Sequence, residues 1–195
     1  MAAMGMVYAD LSVSLDGYIA GARVGVDNPM GDGGEHLHEW MFAGKSPEES
    51  RAFEEEHFAT TGALLMGRTM ADVGMRFWGE DPTFHAPVFV VTHRAAGPVV
   101  KAGGTTYTFV TDGPAVAFEA ARAAAGNHDL CVAGGASVVQ WTLDAGVLDE
   151  LRLHLVPVLL GDGVRLFAPG QGPAALVPRG AAEQVGVVHL RYGLH

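Results

Sequence analysis

With 195 residues, 49% hydrophobic and 17% charged, the chain has the composition of one globular domain with a sizeable core, not of a disordered segment. A formal charge of −10 with only 12 lysines and arginines gives no basic footprint for a phosphate backbone, which argues against nucleic acid as a partner. The single cysteine, Cys131, allows no internal disulfide, and there is neither a basic leader nor a run of 18 apolar residues; a cytoplasmic protein without a membrane span is expected.

In chain order, the first element is an alternating strand that places Val7, Ala9, Leu11, Val13 and Leu15 on one face and Asp10, Ser12, Ser14 and Asp16 on the other. It ends in "SLDGYIAG". Asp16-Gly17 is a strong turn signal, with Gly17 free to take a positive φ, yet Asp16 also faces away from the apolar side, where it could do chemistry. The Gly-rich passage "GARVGVDNPMGDGGEHLHEWMFAG" is too long for a plain connection and is a candidate functional loop. "SPEESRAFEEEHF" then opens a helix: Ser46 caps, Pro47 fits the first position and Glu49 completes a capping box, with Phe53, His57 and Phe58 facing the core.

Strands and helices alternate from there. "GALLMG" reads as a buried strand, "RTMADVGMRFW" as a short helix, and "PVFVVT" and "TTYTFVT" as strands. "DGPAVAFEAARAAAG" is a helix started by Thr111 or Asp112 and ended by Gly126. The strand "DLCVAGG", the helix "ASVVQWTLDAG" and the strand "DELRLHLVPVLL" follow, and "AAEQVGVVHLRYGL" reads as one final strand. This order predicts a single α/β domain with a central mixed, mostly parallel sheet flanked by helices and antiparallel strands toward the C-terminal part.

Three strand ends carry residues suited to an anion. "LLMGRT" brings Gly67, Arg68 and Thr69 to a helix start, and "CVAGGAS" brings Gly134, Gly135, Ala136 and Ser137 to another; free backbone N–H groups and the helix dipole favour negative charge there. "VVTHR" ends a strand with Thr92, His93 and Arg94, where the arginine fork could grip a phosphate. Each has a plain alternative, a tight turn or a solvated arginine. Together they converge, because the C-terminal ends of parallel strands lie along one crevice. A dinucleotide with a separate 2′-phosphate would suit two arginines from different strand ends, although no G-x-G-x-x-G is present. One cysteine excludes the zinc-deaminase pattern, and no G-x-S-x-G nucleophile elbow occurs. His36 and His38 have no third metal ligand close in sequence. Trp40, Met41 and Phe42 are either core or the wall of a pocket for a flat heterocycle.

"SLDGYIAG", "LLMGRT", "VVTHR", "VAGGASVVQ" and "LVPVLLGDGVRLF", in this order, resemble proteins with the dihydrofolate reductase fold, most closely the reductase domain of the bifunctional riboflavin-biosynthesis deaminase-reductase, over residues 6–192. The resemblance implies an NADPH-dependent reductase, commonly a homodimer. Gly67 to Thr69 and Thr92 to Arg94 would bind the adenosine phosphates, Gly134 and Gly135 would lie against the pyrophosphate, and Asp16 and Gly17 would border the nicotinamide and the substrate. Asp16 is then the candidate catalytic acid or a substrate anchor, with Glu35, His38 and Trp40 as further substrate-side candidates. The implied activity is hydride transfer to a heterocyclic or ribosylaminopyrimidine-type substrate, as in 5-amino-6-(5-phosphoribosylamino)uracil reductase. The alternatives are dihydrofolate reductase proper or a non-catalytic NADPH-binding protein.

Overall fold

Residues 5–167, 169–170 and 174–194 are described by a computed structural model of the chain. Its elements are β1 (Val7–Ser14), β2 (Tyr18–Ala20), a 3-10 turn (Gly34–Leu37), α1 (Glu39–Phe42), α2 (Pro47–His57), β3 (Thr61–Gly67), α3 (Arg68–Phe77), β4 (Val88–Val91) and β5 (Val99–Val100). A second 3-10 turn (Ala102–Gly104), β6 (Thr106–Val110), α4 (Pro114–Ala125), β7 (Asp129–Gly134), α5 (Ala136–Asp144), β8 (Glu150–Val156), β9 (Val164–Arg165), β10 (Val177–Gln184) and β11 (Val187–Gly193) follow. The main sheet has the order β10-β11-β8-β1-β7-β3-β4-β6-β5, while β2 and β9 pair as a small separate ribbon.

The centre of that sheet is parallel, with β1 between β7 and β8 and β3 between β7 and β4. The sequence explains why. Along β3, Ala63 and Leu65 pack into one apolar layer with α4 and α5, while Leu64 and Met66 pack into another with Ala71, Phe84 and Val88. A strand buried on both faces reads as a continuous apolar run, the habit of a covered parallel sheet. Two aspartates fasten the start of the chain, since Met6 N–H donates to Asp129 at 2.8 Å and Val7 N–H to Asp149 at 2.7 Å.

The capping box on α2 is formed: Ser46 Oγ accepts from the Glu49 N–H at 3.2 Å, and the Glu49 carboxylate accepts from the Ser46 N–H at 2.7 Å. Other details differ from expectation. Strand β1 stops at Ser14, so Leu15 leaves the apolar face and is 61% exposed. Neither Thr111 nor Asp112 caps α4; Gly113 holds that position at φ 95°, a conformation that favours a residue without Cβ, and Pro114 fills the first turn. Strand β8 ends at Val156, before Pro157. The final segment is a hairpin, not one strand: Val185-Gly186 turns with Gly186 at φ 83°, and β10 runs back along β11. Strand β10 is exposed throughout and its register shifts between Pro178 and Gly180.

Leu65→Ala is expected to lower unfolding free energy by about 2–5 kcal/mol, because truncating this fully buried side chain removes apolar contacts and leaves a cavity. Ser46→Ala is expected to cost about 1 kcal/mol through the lost cap. Urea unfolding with an unchanged m-value checks both.

Candidate functional site

The ends of β3, β4 and β7 are adjacent in register, with Gly67 opposite Val91 and Met66 opposite Gly134. Gly67, Arg68, Thr69, Thr92, His93, Arg94 and Ser137 consequently line one groove of about 440 Å³. Gly134 and Gly135 adjoin it: a Cβ on Gly67 would lie 3.6 Å from the Gly135 nitrogen and 4.0 Å from the Gly134 oxygen. Gly134 sits at φ 119°, and its peptide bond to Gly135 is cis. Helix α3 begins directly after Gly67 and α5 directly after Gly135, with Ala136 in its first turn, and among the described residues no side chain caps either N-terminus. Two sets of first-turn N–H groups thus meet the groove, each at the positive end of a helix dipole.

Its charge is organised by a residue that the sequence reading passed over. Asp72 accepts from Arg68 Nε at 2.7 Å and from the Arg94 guanidinium at 3.3 Å, so one carboxylate holds two arginines from different strand ends. The signal was present, because Arg68 and Asp72 are four apart on one helix. The Arg68 guanidinium also lies 4.9 Å above the Phe109 ring. Buried Thr92 fixes the next turn by accepting from the Arg94 N–H at 3.0 Å. Two guanidiniums against one carboxylate leave the groove positive, and the Arg94 side chain is 71% exposed with donors to spare. An uncapped, positive, glycine-walled groove fits a dinucleotide's phosphates.

Asp16 and Gly17 lie outside the groove's lining. Gly17, at φ 91°, closes a tight turn by donating its N–H to the Ser14 oxygen at 2.9 Å. The Asp16 carboxylate accepts from Ser14 Oγ at 2.6 Å, from the Gly161 N–H at 2.7 Å and from the Leu160 N–H at 3.2 Å. The Ser14 hydroxyl, with the two backbone donors behind it, holds this acid down to about 2. Asp16 is therefore ionised near neutral pH and ties the β1 turn to the loop after β8; an acceptor of three hydrogen bonds is not poised to donate a proton.

Glu35, His38 and Trp40 are not gathered into one pocket. Glu35 is exposed on the 3-10 turn. His38 Nδ1 is buried with no hydrogen-bond partner among the described residues, and burial pushes the imidazole down to about 4. Trp40 belongs to the core with Leu37, Val156 and Val187, its indole N–H donating to Ser12 Oγ and to the Leu37 oxygen, both at 3.1 Å. His36 pairs with Glu39 at 2.8 Å, and the described residues contain no group of three potential ligands placed to hold a metal ion.

A second recess was missed entirely. Between α2 and the β1–β8–β11 part of the sheet lies a cleft of about 270 Å³ lined by Asp10, His57, Arg152, His154, His189 and Arg191. The register assembles it in two rows, Asp10–Arg152–Arg191 and Ser12–His154–His189. The alternation of Arg152 with His154, and of His189 with Arg191, placed each pair on one strand face. That pattern could have been read.

Several solved structures share this architecture. A putative riboflavin biosynthesis protein from Shewanella sp. PV-4 superposes with a TM-score of 0.71 at 22% identity, covering 97% of this chain and 99% of that one. A dihydrofolate reductase from Enterococcus faecalis, complexed with NADP(H) and RAB-propyl, gives 0.52 at 15% identity, with 99% and 98% covered. The deaminase/5-amino-6-(5-phosphoribosylamino)uracil reductase from Thermotoga maritima gives 0.59 at 13% identity, with 98% of this chain matching 57% of that one. These likenesses show the dihydrofolate reductase-like fold. No curated protein matches the chain in sequence. Residues 6–190, however, match the RibD C-terminal domain, and the chain belongs to that family of reductases.

Proposed function

We propose that this protein is an NADPH-dependent reductase that transfers hydride to a heterocyclic or ribosylaminopyrimidine-type substrate, in the manner of 5-amino-6-(5-phosphoribosylamino)uracil reductase. The observation that carries this reading is the single groove in which two uncapped helix N-termini meet two arginines held by one aspartate. When bound, the dinucleotide would supply hydride from its dihydronicotinamide. The chain's own share is binding and orientation: Gly67, Gly134 and Gly135 let backbone approach the phosphates, Thr69 and Ser137 offer hydroxyls, and Arg68 and Arg94 grip a 2′-phosphate by charge-assisted hydrogen bonds. Asp72 acts through the arginines as a positioning residue. Asp16 and Gly17 shape the turn beside the substrate side, Asp16 as an anchor, and Glu35 and His38 are the remaining substrate-side candidates. The protein is read as cytoplasmic and as a homodimer, and light scattering on the purified chain checks the dimer.

Calorimetry should find NADPH bound more tightly than NADH. Arg94→Ala and Arg68→Ala are each expected to weaken NADPH about tenfold, the loss of roughly one charge-assisted contact, and to leave NADH within about twofold. Failure of NADPH to bind the unaltered chain would overturn the reading. NADPH oxidation accelerated by a ribosylaminopyrimidine and not by dihydrofolate is expected; acceleration by neither would favour the binding-protein alternative.

For Asp16 the sign is fixed by its lowered pKa. Its carboxylate is ionised above about pH 4 whether the chain is folded or not, and the contacts it makes are lost only as pH falls toward about 2. The kcat profile between about pH 6 and 9 should therefore keep its shape in Asp16→Asn. Loss of a protonation limb in that variant would instead make Asp16 the acid.

A further inference from the structure

We propose that His154 and His189 share one proton beyond those of two neutral rings, and that this proton is the counter-charge that latches the α1–α2 segment onto the sheet. The inference stands apart from the reductase reading, because it rests on the second cleft and not on the groove.

The count follows from hydrogen-bond polarity. His154 Nε2 is 2.6 Å from Asp10 Oδ1, and a buried carboxylate held ionised can only accept, so that nitrogen carries a proton. The Nδ1 atoms of His154 and His189 are 2.7 Å apart, which requires one proton between them. His189 Nε2 is 3.2 Å from Gln184 Oε1, an acceptor, so it carries a third. Two neutral imidazoles bring two protons between them. With the Gln184 amide oxygen facing His189, the chain from Asp10 to Gln184 is thus satisfied with one positive charge.

Charge balance gives the same answer independently. Only 6% of the Asp10 side chain is exposed, and a buried carboxylate needs a partner. The arginines do not supply it at close range. Arg152 Nε donates to Glu150 at 2.6 Å and the Arg191 guanidinium meets both Glu150 oxygens at 2.9 Å, whereas Arg152 stays 4.0 Å from Asp10. His57, from α2, stands 3.5 Å from the other Asp10 oxygen, and the charge of Glu54 on the same helix also acts on it. Burial lowers the pKa values of His57 and His189 and brings His38, beside α1, to about 4. The ring in direct contact with the aspartate, at 2.6 Å, is that of His154, and the extra proton is assigned there. Tyr8 of β1 and Cys131 of β7 also face Asp10, both neutral, the thiol pushed up to about 12 by burial. With both His154 nitrogens engaged, the cluster is not a metal site.

The latch acts through two side chains of the covering segment. The Trp40 ring centroid lies 4.7 Å from that of His154 and 5.0 Å from that of His189, so a charged pair gains a cation–π contact. His57 presses on the same aspartate. When the shared proton leaves, Asp10 loses its close counter-charge, Trp40 loses its cation, and the Gln184 amide must turn over to donate to the bared Nε2. The latch is therefore present at lower pH and lost as pH rises. His38, His57 and His189 work in the opposite sense only below about pH 6.5, where they charge on unfolding.

The test uses the full chain labelled with 15N-histidine. Near neutral pH, His154 should show two protonated nitrogens, and Gln184→Glu, whose carboxylate cannot turn over to donate, should move loss of the shared proton upward by about one pH unit. One bare nitrogen on each ring at that pH, or a titration unchanged in Gln184→Glu, overturns the shared proton. Amide exchange corrected for intrinsic rates tests the latch. Protection over residues 39–57 should fall several-fold from about pH 6.5 to about pH 9 while β3 holds, and His189→Phe should abolish that dependence. Protection that is flat with pH in the unaltered chain overturns the latch even if the proton is found.

Discussion

Tyr8, Asp10, Ser12 and Ser14 stand in a row on one face of β1, a strand hydrogen-bonded to neighbours on both sides and covered by helices and loops on both faces. None of the four can turn to water, and an unpaired buried polar group costs roughly 1–3 kcal/mol. Each therefore recruits a partner from a different part of the chain. Tyr8 bonds Thr61 of β3 at 2.7 Å, Asp10 bonds His154 of β8, Ser12 accepts from Trp40 of α1, and Ser14 bonds Asp16 and accepts from the Tyr18 N–H. The row works as a set of addresses. It fixes where the long loop returns, which helix covers the second cleft and how the turn at Gly17 is held.

On its other face, β1 contributes only Val7, Ala9, Leu11 and Val13, the first three of which join the apolar layer beneath α4 and α5. The division has a functional side. The apolar layer positions the α5 start at the groove, because Val138 and Val139 pack into it just beyond Gly135. The polar layer builds the second cleft. One strand thus serves two recesses of different chemistry, one positive and open, the other nearly neutral and closed around paired charges.

Much of this was legible because local and tertiary demands agree. The β3 run, the Ser46–Glu49 cap and the glycine junctions at Gly67 and Gly135 are short-range signals that the fold has no reason to override. Readings that went wrong or stayed open fall where partners are distant in sequence. The face that Leu15 takes depends on a turn held by Leu160 and Gly161, and the fate of Trp40 depends on Ser12 and on histidines of two later strands. Asp72 was hidden differently: its link to Arg68 is local, but its value comes from Arg94, which reaches it from another strand end. The closing hairpin read as one strand because Val185-Gly186 is a two-residue turn without a proline or an Asn-Gly pair to announce it.

The two outer strands of the sheet deserve comparison. At one end β5 has two residues, too few to template a neighbour; at the other β10 is eight residues long and exposed on both faces. Pro178 in β10 offers no N–H, and the register shift that follows it breaks the row of donors and acceptors that a foreign strand would need. Among the described residues, a nine-stranded sheet presented this way stops growing at both ends: one edge is too short to extend and the other is out of step with any straight strand that might join it.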